Sequence, residues 1–93
     1  MRLKEYEIEA IKSAAKKYDE NAQVYLFGSR TDNAKRGGDI DILLLSDKIK
    51  NKEVRKIRLE IFDLIGEQKI DIVTAPTVNS AFIEYAYKSG IRL

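Results

Sequence analysis

Helix-length amphipathic segments alternating with short apolar runs predict a small α/β fold of the α+β kind, a mixed sheet of three to four strands with helices packed on it. Three observations carry that expectation. Two segments space their apolar residues by three and four, the two longest apolar runs (Val24–Phe27 and Ile42–Leu45) have strand length, and the strands are joined by connections of different length. The 93 residues suit one domain, 1–93, with enough chain for a hydrophobic core but none for a second substrate-binding unit.

Each element has its own signal, in the order α-β-β-α-β-α. From Leu3 to about Tyr18, Ile8, Ile11, Ala15 and Tyr18 fall on one face among many Glu and Lys, the pattern of an amphipathic helix. Asp19-Glu20-Asn21 breaks it, and Gln23–Phe27 follows as a buried strand ending at Gly28. Ser29 to Gly38 is a polar loop with a helical turn near its start, closed by Gly37-Gly38. Asp39–Leu45 begins as strict polar/apolar alternation and turns continuously apolar, a strand with one solvated end and one end buried on both faces.

A second helix carries Val54, Ile57, Ile61, Leu64 and Ile65 as one stripe, with Gly66 placed as its C-terminal cap. Lys69–Thr74 reads as a third strand, followed by Pro76. A third helix opens near Thr77 or Asn79, shows Phe82, Tyr85 and Ala86 on one side and stops at Gly90. Of the late aromatics, Tyr85 is expected in the core and Tyr87 on the surface. The helical connection allows strands two and three to run parallel; the loop between strands one and two suits either sense.

Composition excludes much chemistry. There is no Cys, His or Trp, hence no thiol nucleophile, Ser-His-Asp triad or zinc site of the usual kind, and any bound metal should be a hard, oxygen-loving one. No apolar run approaches the roughly 20 residues of a membrane span. The N-terminal Met1–Glu7 is charged and lacks a secretory signal's apolar stretch, so a cytoplasmic location is the expectation. A net charge of +2 gives no bulk-charge argument for binding nucleic acid or membrane. Walker A and dinucleotide glycine patterns are absent.

Three Asp residues at strand starts carry the chemistry. Side chains alternate along a strand, so Asp39 and Asp41 share a face with Cα atoms roughly 6–7 Å apart. If strand three lies beside strand two, Asp71 reaches the same spot, and the three carboxylates repel one another unless a divalent cation binds. Gly28-Ser29 directly after an apolar strand offers backbone N–H groups and a hydroxyl to an anion. An Asp-x-Asp alone is usually a solvated strand start; its company here decides otherwise.

Phe27-Gly28-Ser29-Arg30, nine residues between Ser29 and Asp39, Asp39-Ile40-Asp41 running into Ile42–Leu45, and a lone strand Asp71 resemble the DNA polymerase beta-like nucleotidyltransferase superfamily. More narrowly the chain is similar to the minimal nucleotidyltransferases encoded as antitoxins beside HEPN-domain toxins. The resemblance runs from the first helix through the third strand and implies a nucleotidyltransferase fold. It implies that Gly28, Ser29 and Arg30 form the nucleotide-binding turn holding the triphosphate of ATP, that Asp39 and Asp41 bind Mg²⁺, two ions being expected, and that Asp71 completes the metal and catalytic cluster and helps deprotonate the acceptor. It further implies transfer of AMP onto a hydroxyl, a tyrosine of a HEPN toxin, with the chain acting as antitoxin; the rival is an antitoxin that neutralises by binding alone. Monomer and homodimer both stay open. Two departures are a spacer of nine residues where ten is commoner, and Gly38 where a Ser is frequent.

Lys35 and Arg36 on the loop, and the basic stretch Lys48, Lys50, Lys52, Arg55, Lys56 and Arg58, read first as solvated surface, the latter because Asp47, Glu53 and Glu60 intersperse it.

Overall fold

The computed structural model describes residues 1–33 and 38–93. The chain runs α1 (Glu5–Lys16), β1 (Gln23–Phe27), a 3-10 turn (Gly28–Thr31), β2 (Ile40–Leu45), α2 (Asn51–Ile65), β3 (Ile70–Ala75), α3 (Ala81–Ser89) and β4 (Ile91–Arg92). The sheet order is β3-β2-β1-β4; β2 and β3 are parallel, while β1 runs antiparallel to both β2 and β4. The parallel pair follows from the α2 crossover, which carries the chain back to the end where β2 began.

Strand alternation divides the core in two. Val24, Leu26, Ile40, Ile42, Leu44 and Ile70 face α1 and α2, meeting Ile11, Ala14, Ala15, Val54, Ile57 and Ile61 in the larger cluster. Tyr25, Phe27, Leu43 and Ala75 face the other way, under Ile83 and Ala86 of α3. Truncating a fully buried side chain such as Leu26 to Ala costs about 2–5 kcal/mol at sites of this kind. Glu7 and Glu53 each accept the backbone N–H three residues earlier, from Lys4 and Lys50 at 2.8 Å, and so fix the first turns of α1 and α2. Gly66 caps α2, its N–H reaching the Phe62 carbonyl at 2.8 Å.

The structure departs from expectation in particular places. Helix α1 is shorter than Leu3–Tyr18, β2 starts at Ile40 and β3 is shifted by one residue to Ile70–Ala75. Leu64 is not part of the buried stripe; it is 59 % exposed, at the stripe's edge over the groove beside Tyr6 and Ala10 of α1. Helix α3 starts after Ser80, whose hydroxyl accepts the Ile83 N–H, and its buried phase is Ile83 and Ala86. Phe82 and Tyr85 are therefore exposed, and Tyr85 is not in the core. Ala86, fully buried, lets α3 lie close to the sheet beside Ile83, while Phe82 and Tyr85 flank the Phe27 ring edge-on at 5.9 and 6.5 Å. Tyr87, expected on the surface, packs edge-to-face on Tyr25 at 5.1 Å while staying exposed. The element order also continues past the third helix: β4 adds a fourth strand beside β1, with the Leu93 N–H on the Val24 carbonyl at 2.9 Å. Gly37, Lys35 and Arg36 lie outside the described residues.

Candidate active site

The sheet register brings two of the acids side by side. Phe27 pairs with Asp41 across β1 and β2, and Asp41 pairs with Asp71 across β2 and β3. Directly paired residues share a face, so both carboxylates sit on the α3 side of the sheet, in one row with the glycine turn that follows Phe27. Burial first, then the Asp71 and Asp39 charges, and finally a hydrogen bond shared with Asp71, push the Asp41 carboxyl above its usual value.

Asp39 is less committed. Its carboxylate lies 3.6 Å from the Lys69 ammonium, each residue standing just before its strand, and both side chains are well exposed. Among the described residues no three acidic side chains converge as a metal-binding group, so the expected three-carboxylate cluster is drawn together as Asp41 with Asp71, with Asp39 in electrostatic reach and leaning toward Lys69. An exposed pair of that kind is worth at most about 1 kcal/mol, little resistance to a cation's competing for Asp39. The donors on offer are carboxylate oxygens, which fit a hard divalent ion such as Mg²⁺.

The turn between β1 and β2 is built against this row. Gly28 has φ +78°, and a Cβ there would collide with the Asp41 carboxylate, so only glycine lets the turn backbone lie against the acid. Gly38 has φ +88°, and a Cβ there would collide with the Ser29 hydroxyl. The positive φ and the nearness of Ser29 together favour glycine here over the frequent Ser.

Arg30 serves the turn's shape. Its guanidinium donates to the Gly38 carbonyl at 3.2 Å and to the Arg2 carbonyl at 3.0 Å. Arg2 answers with Nε to the Asp32 carbonyl at 2.9 Å and Nη2 to the Ser29 carbonyl at 3.0 Å, while its own N–H meets the Arg30 carbonyl at 2.8 Å. Arg2 is the residue sequence reasoning missed. A lone arginine near the start of a chain carries no motif, and only the fold brings it to position 29.

A second acid sits at the opposite end of the strands. Asp19 is 5 % exposed and accepts the Ser46 hydroxyl at 2.6 Å and the Asn21 N–H at 3.0 Å. These bonds hold its carboxyl below the usual value. Asp19 and Ser46 line a polar cleft with Gln23, Pro76, Thr77 and Tyr87, remote from Asp41. The side-chain bonds of Asp19 tie the α1–β1 turn to the residue that follows β2.

Comparison by family matches residues 9–93 to the family described as Polymerase beta, Nucleotidyltransferase. No curated protein matches the chain. The matched span contains Gly28, Ser29, Asp39, Asp41 and Asp71 and covers most of the chain, and the chain belongs to this nucleotidyltransferase family. The four-stranded mixed sheet with three helices is the α+β architecture expected of it. No helix among the described residues is long and apolar enough to cross a membrane.

Proposed function

We propose that this nucleotidyltransferase moves AMP from ATP onto a tyrosine hydroxyl of a HEPN-domain toxin and so acts as its antitoxin. One observation supports the reading above all: the glycine turn at Gly28 lies directly against Asp41, which is paired with Asp71. A glycine-turn backbone, an acid set among like charges and a second, exposed acid stand in one row. Asp39, Asp41 and Asp71 would hold Mg²⁺, whose chemistry is to offset the charge of triphosphate and carboxylates.

In the reaction the tyrosine oxygen forms a bond to the α-phosphorus, the bond from that phosphorus to the bridging oxygen breaks, and pyrophosphate leaves on the opposite side. Asp71, exposed on its strand, accepts the phenolic proton. The Gly28 and Ser29 N–H groups and the Ser29 hydroxyl orient the phosphates, held in shape by Arg2 and Arg30.

The lean of Asp39 toward Lys69 favours the second reading, a protein that neutralises its toxin by binding alone. One experiment separates the two. The chain is incubated with α-labelled ATP, Mg²⁺ and the product of the adjacent gene, a HEPN protein on this reading. Label on the toxin from wild type and none from the Asp39→Asn, Asp41→Asn double variant supports transfer. Neutralisation without label, unchanged in the double variant, supports binding alone.

A further inference from the structure

We propose that the outer edge of β3 is the docking strip for the acceptor, taking an extended segment of the partner protein as an added strand that delivers its hydroxyl beside Asp71. The inference rests on the transfer reading above for the nature of the acceptor. It rests on backbone geometry for the place.

The first observation is the state of the edge. In the order β3-β2-β1-β4, β3 is an outside strand of six residues, whereas the opposite outside strand, β4, has two. The Ile40 N–H donates to the Lys69 carbonyl at 3.0 Å and the Ser46 N–H to the Ala75 carbonyl at 2.9 Å. Backbone groups of alternate strand residues point to alternate sides, so Lys69, Asp71, Val73 and Ala75 address β2, and Ile70, Ile72 and Thr74 address the other side. Among the described residues, no hydrogen bond is made to the backbone N–H or C=O groups of those three. Such a row is a template for a further strand.

The second observation is what sits on that edge. Reading across the sheet on the α3 face, the glycine turn after β1 is followed by Asp41 on β2 and Asp71 on β3. An added strand would come next, about 4.8 Å beyond. In-line displacement needs the attacking oxygen and the leaving pyrophosphate on opposite sides of the phosphorus. With phosphates at the glycine turn, the attacking side is the free edge of β3. A side chain paired with Asp71 on an added strand would share its face and place its hydroxyl next to that carboxylate. The opposite face of the sheet is closed by α1 and α2, which leaves no approach there.

The test uses a matched pair of variants and the HEPN protein as the probe. Thr74→Pro removes one outward N–H and sets a ring on the edge without touching the β2 ladder. Thr74→Val loses the same side-chain hydroxyl, which bonds the Ile49 carbonyl at 3.1 Å, yet keeps the N–H. We expect Thr74→Pro to lower kcat/KM for the protein acceptor by about tenfold relative to Thr74→Val, with Mg·ATP affinity equal in both. In the wild type, the Ile70, Ile72 and Thr74 amides should become slow to exchange with solvent hydrogen when the partner is added. Equal transfer by the two variants, or edge amides that stay fast in the complex, overturns the proposal. Edge amides slowed by raising the concentration of this chain alone assign the edge to a second copy and overturn it too. Protection by the partner without any label transfer from wild type retains the docking strip and defeats the transfer reading instead. Should Thr74→Pro fail to fold, the exchange measurement decides.

Discussion

Two aspartates stand at opposite ends of the same sheet and are treated in opposite ways. Asp19 is almost sealed from water, and its acceptor oxygens meet a hydroxyl and an amide donor that favour the ionised form. Asp41 is less buried but has other carboxylates for company, and its ionised form is disfavoured. The difference teaches that burial alone does not mark a working acid. An acid whose partners are all donors is complete, and its removal breaks the fold; an acid surrounded by acids is incomplete, and what completes it comes from outside.

The largest effect that would break this contrast is at Asp41. Asp41→Asn should lower nucleotidyl transfer by about 10²–10³-fold or more, the scale seen when a charge-stabilising group is removed. It should also raise the melting temperature in the absence of divalent cations, because it removes like-charge repulsion. A variant that loses stability along with activity would make Asp41 a structural acid like Asp19. Next comes Asp19→Ala, which strands the buried Ser46 hydroxyl and the Asn21 N–H and should cost about 2–4 kcal/mol in urea unfolding. Turnover per folded molecule should stay near wild type.

A smaller effect is expected for Gly28→Ala. A side chain at φ +78° costs about 1–2 kcal/mol, and the added methyl meets the Asp41 carboxylate. Weakened ATP binding in a calorimetric titration, exceeding the change in melting temperature, would place the loss at the turn.

The smallest effect sharpens the comparison through pH. Asp19 has a lowered folded value, so its stabilising contribution is full above the unfolded carboxylate value and is lost as pH falls through the folded one. Asp41 has a raised folded value, so its ionisation opposes folding as pH rises from the unfolded value through the folded one. Urea midpoints measured from pH 2 to 7 should therefore show a weaker acid-side decline for Asp19→Asn than for wild type. For Asp41→Asn, measured without divalent cations, the gain over wild type should grow with pH. Parallel curves for all three proteins would erase the distinction.

Much of this was legible before the fold. Strand β1 is a dense apolar run between breakers, and its bounds match Gln23–Phe27. The register of Asp41 with Asp71 follows from two like-patterned strands joined by a helix, since both patterns must turn the same face to the core. Helix α3 was harder to phase, because Phe82-Tyr85-Ala86 and Ile83-Ala86 both fit a helical period and only close packing on the sheet chooses between them. Two-residue β4 has no periodicity to detect, and its pairing depends on β1 being exposed on that side. Arg2 and the Asp39–Lys69 pair are products of chain crossing, which no local window contains.

The placement of the two chain ends bears on how such experiments are built. Arg2 is bonded to the turn at Ser29, and the Met1 ammonium donates to the Asn33 side chain at 2.6 Å. Anything fused ahead of Met1 would stand over the nucleotide turn. Leu93 instead lies opposite Val24 at the end of β4, with the chain heading toward Gln23 and the Asp19 end. An affinity tag, fluorophore or surface tether belongs there, and a loss of transfer caused by an N-terminal tag should be reversed by moving it to the other terminus.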